Sequence, residues 1–189
     1  MQGRATFDET RTYRYTLHRR WAPGGTRICF CLLNPSTADE FKLDPTLTRC
    51  LGYAQRWGYS AMETVNIFAL RSTDPAGLRE HVDPTGPAND RAIRTAAKRA
   101  DLIVVGWGSH GGFLDRGPRV AELLAPICDP VCLGLTNAGA PRHPLYLRKD
   151  LEPFAYEPAG ATGAPPSPVA KRPSPVVRSR PARPAPAGR

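Results

Sequence analysis

The sequence predicts an α/β fold, a three-layer α/β/α sandwich around a mainly parallel four-stranded sheet. Three observations lead there. Four apolar runs, at residues 27–33, 61–70, 101–106 and 131–135, have the length and composition of buried strands. Segments of helical spacing separate them, and alternating strands and helices place helices on both faces of a parallel sheet. A polar cluster rich in Gly or Pro follows each strand, and in such sheets ligands bind beyond the carboxyl ends of the strands.

The elements follow in order. Residues 13–17 (YRYTL) alternate as a strand does, and Pro23-Gly24-Gly25 makes a turn. The run RICFCLL at 27–33 stops at Asn34-Pro35, where proline ends the ladder and Ser36, Thr37 and Asp39 offer caps for a following helix. Asp44-Pro45-Thr46 opens a helix whose inner face carries Leu47, Cys50, Leu51 and Ala54, with Gly58 as its stop. AMETVNIFAL at 61–70 holds the second strand, interrupted by Asn66. Residues 89–100 read as a helix, and DLIVVG at 101–106 is the third strand, ending in Trp107-Gly108. A helix around 118–124 and a fourth strand, VCLGL at 131–135, lead into the loop 137–146.

Residues 1–158 are expected to form one domain, a size at which a single core is usual. Residues 159–189 carry eight prolines and six Lys/Arg with no acid and no aromatic residue, the composition of a disordered tail. The tail holds six of the 26 basic residues and none of the 17 acids. Over 1–158, 20 bases therefore face 17 acids, a net of +3 against +9 for the chain. A charge of +3 is ordinary for a solvated domain, while Lys171, Arg172, Arg178, Arg180, Arg183 and Arg189 suit sequence-independent attraction to phosphates. A purely solubilising extension accounts for the same composition.

Cys29, Cys31, Cys50, Cys128 and Cys132 are odd in number and contain no CxxC pair, so core packing is favoured over a metal or a disulfide. Four histidines without close spacing argue against zinc. No charged-then-apolar leader opens the chain and no apolar stretch approaches the length of a membrane span, so a cytoplasmic protein with no membrane partner is expected. GxGxxG, Walker and GxSxG motifs are absent, which removes support for dinucleotide, NTP and serine-hydrolase chemistry.

Several residues suit chemistry at the strand ends. Asn34, Pro35, Ser36 and Thr37 offer an amide, two hydroxyls and an expected helix N-terminus, which suits a phosphate or an ordered water. A simple turn and cap explains them equally. Asp39, Glu40 and Asp44 lie near as bases or as helix-dipole partners. Asn66, a lone amide within TVNIF, must find partners, either in the backbone or at the edge of a nucleobase. Trp107-Gly108 permits close approach beside a large aromatic surface, although the Trp107 ring suits a core as well. His143, between Arg142 and Pro144, is better held than His110 among glycines and suits donation to negative charge on a leaving group.

Taken together, Tyr13-Arg14-Tyr15, LNPSTADE (33–40), DPT (44–46), Asn66-Ile67-Phe68, GWGSHG (106–111) and HPLYL (143–147) resemble the uncharacterised bacterial family catalogued as domain-of-unknown-function family 1643. The resemblance covers nearly all of residues 10–153, and that family name conveys no activity. More distantly, the order of the motifs is similar to the uracil-DNA glycosylase superfamily. That likeness implies a DNA glycosylase-like hydrolase of base excision repair, acting on the N-glycosidic bond of a uracil-like or modified base by water attack. It implies that Asn34 orients the water and that His143 stabilises the departing base. It further implies a substrate site of Pro35, Ser36, Thr37, Asn66 as base reader, Phe68, Trp107, Gly108, Pro144, Leu145 as the inserted residue, and Tyr146. The partner implied is nucleic acid, DNA rather than RNA, bound by a monomer without metal or organic cofactor. Ser36-Thr37 and Tyr146 depart from that superfamily's pattern, and Phe41 and Phe68 are the candidates for a base-stacking ring. A non-catalytic module that binds nucleic acid or a modified base, and an enzyme acting on free nucleosides or nucleotides, remain the alternatives.

Overall fold

The computed structural model describes residues 1–36, 38, 39, 41–74 and 76–158. The expected tail at 159–189 and the candidate residue Thr37 lie outside the described residues.

The chain forms an α/β fold on a mixed seven-stranded sheet. Its strands are β1 (Gln2–Phe7), β2 (Arg14–Arg20), β3 (Arg27–Leu32), β4 (Ala61–Asn66), β5 (Leu102–Gly106), β6 (Val131–Cys132) and β7 (Phe154–Ala155), in the spatial order β1-β2-β4-β3-β5-β6-β7. This corrects the four-stranded expectation. Strands β4, β3, β5 and β6 pair in parallel, while β1, β2 and β7 add antiparallel edges. The parallel strands were legible as apolar runs because both their faces are covered. The edge strand β1 alternates between exposed and half-buried residues and carries no such run.

Helix α1 (Pro45–Arg56) packs Leu47, Cys50, Tyr53 and Ala54 against Ile28, Phe30, Leu32, Met62 and Val104 on one face of the sheet. Between β4 and β5 run the single turn α2 (Gly77–Glu80) and α3 (Asn89–Arg99). With α4 (Arg116–Leu124), α3 covers the opposite face, placing Ile93, Ala96, Val120 and Leu124 over Cys29, Cys31, Val65, Ile103 and Val105. All five cysteines are free, four of them buried and Cys128 half-buried.

Register sets where the site forms. Leu32 pairs with both Asn66 and Gly106, so the three central parallel strands end level with one another. The chain beyond them must therefore pile up on one edge of the sheet. Among the described residues directly after β3 no helix starts, contrary to the capping role expected of Ser36 and Asp39. Helix α1 begins only at Pro45, capped by Asp44, whose carboxylate accepts from Leu47 N at 2.8 Å. Pro45 at the first helical position and Gly58 at φ +79° after the last turn bound it as the sequence suggested.

A bulge in β2 holds the intervening loop. Thr6 pairs with Thr16 and Phe7 with Arg14, leaving Tyr15 as the extra residue. Tyr15 stacks at 6.2 Å on Tyr13, while the buried Arg14 guanidinium donates to Ala38 O at 2.7 Å. Arg19, equally buried, donates to Asp39 O and to Lys42 O, the latter at 3.2 Å. Two buried cations thus satisfy carbonyls of a segment without regular structure, where orphaned acceptors would otherwise be costly. On the far side of the sheet, the fully buried Glu63 is paired in two-pronged fashion by Arg99.

Candidate functional site

Beyond the carboxyl ends of β3, β4, β5 and β6 lies a cleft of about 540 Å³. Its walls come from all four strand-end loops and from the start of α1. Of the residues the sequence singled out, Asn34, Ser36, Trp107, Gly108, Leu145, Tyr146 and both His110 and His143 line it. Pro35, Asn66, Phe68 and Pro144 do not. The lining also includes Asp44, Ser72, Thr73, Ser109, Thr136 and Arg142.

Asn34 is fixed by its own amide. Its Nδ2 donates to Ser72 O at 2.8 Å and to Pro35 O at 3.1 Å. Both neighbours are carbonyls, so the nitrogen must face them and both its hydrogens are used. Oδ1 makes no hydrogen bond among the described residues and is left as an immobile acceptor. Pro35 is buried beneath, its carbonyl also accepting from Ser72 N at 2.9 Å.

His143 is the complementary group. Its Nδ1 accepts from Leu145 N at 3.4 Å, so the neutral ring carries its proton on Nε2 and is a donor there. Burial pushes its pKa down to about 4, with the Asp44 carboxylate acting in the opposite sense. The imidazole therefore stays neutral across the physiological range.

The loop that carries His143 is built onto β5 by close packing. Gly108 N donates to Pro141 O at 2.8 Å, and Arg142 N donates to Gly134 O at 2.8 Å. A Cβ on Gly106 would come within 2.8 Å of Pro144 Cδ, which explains the buried Pro144 and the glycine before Trp107. From the other side, α1 ties the same loop: Arg49 donates to Leu147 O at 2.7 Å and the Tyr53 hydroxyl to Arg148 O. The site is thus braced from two layers.

Other expected residues play structural parts. The Trp107 ring is 2 % exposed, sits edge-on to Tyr156 at 5.7 Å, and occupies space that a Cβ on Gly111 or Gly117 would need. It anchors the loop floor, and at this degree of burial it leaves little ring surface for stacking. Phe68 is fully buried against Phe113. Asn66 is 2 % exposed; its carbonyl accepts from Asn89 Nδ2 at 2.9 Å, and its side-chain amide has no hydrogen-bond partner among the described residues. The exposed aromatic rings are Tyr146, 77 % exposed and 5.9 Å from His143, and Phe41, 90 % exposed on the loop before α1.

Among nearby acids, Asp39 accepts from Phe41 N and Lys42 N, and these backbone donors hold its carboxyl below the usual range. It is a turn residue. Asp44 is different, since it caps α1 and lines the cleft beside His143. The sequence offered Asp44 both as a base near the strand-end loop and as a partner of the helix dipole, and it stands both at the start of α1 and in the lining. Ser72 and Thr73 sit past the apolar run of β4, where only their place after a strand end hinted at the cleft. No group of His, Cys, Asp and Glu among the described residues could hold a metal ion. Nor is any described helix long and apolar enough to cross a membrane.

The model of the family described as "Protein of unknown function (DUF1643)" matches residues 14–145, and the chain belongs to that family. No curated protein and no solved structure matches it.

Proposed function

We propose that this member of the DUF1643 family is an N-glycosylase that hydrolyses the bond between a sugar and a uracil-like or modified base in DNA. The observation that carries the reading is the pairing, in one cleft, of a fixed acceptor, Asn34 Oδ1, with a neutral donor, His143 Nε2. Hydrolysis of an N-glycosidic bond needs both. An acceptor orients water at the sugar carbon as the bond to the base lengthens. A donor meets the negative charge that develops on the departing base.

The cleft volume, about 540 Å³, suits a single nucleoside extruded from its stack. Tyr146 at the rim offers a ring for the displaced strand, in the place where the resemblance puts an inserted Leu145. An amide is a weak base, so catalysis rests on leaving-group stabilisation and on positioning. Asp44, beside His143, is the carboxylate that would take up the proton of the attacking water.

A second reading is binding of a modified base without cleavage, which asks only for the cleft: Asn66, the expected base reader, is 2 % exposed and stands behind the lining. The two readings separate on product. Oligonucleotides containing uracil, hydroxymethylated or glucosylated bases would be incubated with the protein and treated with alkali. Strand breaks at the modified position are expected. Binding with no alkali-labile site in any of them would refute the glycosylase reading in favour of the binding module.

A further inference from the structure

Beside the cleft lies an open basin of about 550 Å³, lined by Arg11, Thr12, Ser36, Arg71, Ser72 and Thr73. Ser36, Ser72 and Thr73 line both cavities, so the two share a wall. The basin's chemistry is one-sided. Two arginines and four hydroxyl-bearing residues line it, with no acidic residue among the described lining residues.

The two arginines are brought together by construction. Arg11 stacks its guanidinium over the Phe7 ring at 3.8 Å, and the Arg71 guanidinium lies 5.3 Å from the same ring. Arg71 Nη1 donates to Arg11 O at 3.0 Å, and Arg71 N donates to Thr12 O at 3.0 Å. Arg71 Nε is buried with no hydrogen-bond partner among the described residues. Arg11 itself stands at φ +58°, a conformation uncommon outside glycine, held by its N–H to Asp8 O at 3.1 Å. Burial pushes the pKa of nearby Arg14 down to about 10, with the Asp44 charge opposing the shift and the Arg71 charge adding to it. Carboxylates act on the same cluster from outside the lining, Asp39 on Arg11 and Asp44 on Arg14.

Hydroxyl donors complete the set. Ser72 Oγ already donates to Asp74 O at 2.6 Å, but the Ser36 and Thr73 hydroxyls make no hydrogen bond among the described residues. The Thr10 hydroxyl gives its one hydrogen to the Asp8 carboxylate, so its 2.7 Å contact with Thr12 uses the Thr12 hydrogen and leaves Thr12 Oγ1 as an acceptor only. Planar guanidinium forks with hydroxyls around them match a phosphate's oxygens better than they match a carboxylate or a neutral ligand.

We propose that the Arg11–Arg71 basin is a phosphate subsite that holds the phosphate of the nucleotide whose base enters the adjoining cleft. The inference rests on the cleft's being a base site, as argued above, and does not require that the base be cleaved. It makes the substrate a nucleotide unit, in a strand or free, and orients it: base toward Asn34 and His143, phosphate toward Arg71.

The test is binding, with the full chain, of deoxyuridine, deoxyuridine 5′-monophosphate and a short uracil-containing single-stranded oligonucleotide. Keeping the full chain leaves residues 159–189 contributing equally to every variant. The phosphate-bearing probes are expected to bind more tightly than the nucleoside. Arg71→Ala should weaken them about tenfold, the loss of one charge-assisted contact, and leave deoxyuridine unaffected. Arg71→Lys should restore part of the loss. For the oligonucleotide, the slope of log affinity against log salt should fall by about 0.7 per contact removed. An effect confined to the oligonucleotide would identify a strand phosphate, and one shared with the monophosphate a free nucleotide; either supports the subsite. No phosphate-dependent binding by the wild type, or a folded Arg71→Ala with wild-type affinity and slope, would overturn it. A changed slope on an oligonucleotide that stays intact would count against cleavage while upholding the basin.

Discussion

Gly106 and Pro144 are in the closest packing the site allows, since a Cβ on Gly106 would lie 2.8 Å from Pro144 Cδ and 3.1 Å from Arg142 O. The end of β5 and the loop carrying His143 therefore position each other. Gly106→Ala should push that loop outward, costing about 1–3 kcal/mol through overpacking. Base release should fall more than the folded fraction does. Urea unfolding alongside a cleavage assay checks this, and unchanged values in both would mean the loop is held from the α1 side alone.

Asn34→Asp distinguishes a fixed acceptor from a general base. The substitution sets a carboxylate oxygen against the carbonyls of Ser72 and Pro35 in place of two hydrogen bonds. A loss of about 1–3 kcal/mol of stability is expected at neutral pH, with no gain in rate. A more active and equally stable Asp variant would show that this position prefers a base.

His143 titrates against stability at acid pH. Its folded pKa of about 4 lies below the ordinary histidine value of 6.5, so protons bind the unfolded chain more readily. Its contribution is fully present above pH 6.5 and is lost as pH falls toward 4, by at most about 3 kcal/mol. His143→Gln should flatten that segment of the stability profile. Protonation at Nδ1 leaves the Nε2–H donor in place, so turnover per folded molecule should show no acid limb near pH 6.5. An unaltered stability profile in the Gln variant would mean that the ring titrates normally.

Glu63 and Arg99 supply a control far from the cleft. Arg99→Ala leaves a fully buried carboxylate without its pair, and Arg99 is 43 % exposed, so about 2–3 kcal/mol is expected, below the fully buried case. Turnover per folded molecule should be unchanged. A loss of turnover without loss of stability would connect this face of the sheet to the site.

Much of the fold was legible because burial writes itself plainly in some elements. RICFCL and LIVVG are apolar on both faces, and Asp44-Pro45 with Gly58 punctuates α1 at both ends. β1 was not legible, since QGRATF is half solvated along its length, and β6 and β7 contribute only two residues each. The Tyr15 bulge breaks the alternation from which side-chain direction is read, which hid Arg14 beneath the loop after β3. At the site, Asn34 and His143 stood out because a polar residue next to proline after an apolar run marks a strand-end loop. Trp107 and Phe68 could not be placed in the same way, because aromatic rings beside a site belong to its supporting core as readily as to its surface, and both are buried. The basin arginines carried no local signal, because Arg11 and Arg71 are 60 residues apart and meet only in the fold, over Phe7 and where Arg71 donates to Arg11 O.

The central claim is that Asn34 and His143 act on one bond, and free-base release measures that most directly. Under single-turnover conditions, chromatography of a uracil- or modified-base oligonucleotide should show base released by the wild type. Asn34→Ala and His143→Ala should each reduce release by at least about a hundredfold while unfolding cooperatively. Release at the wild-type rate by either folded variant, or by neither the variants nor the wild type on any base tried, would contradict it.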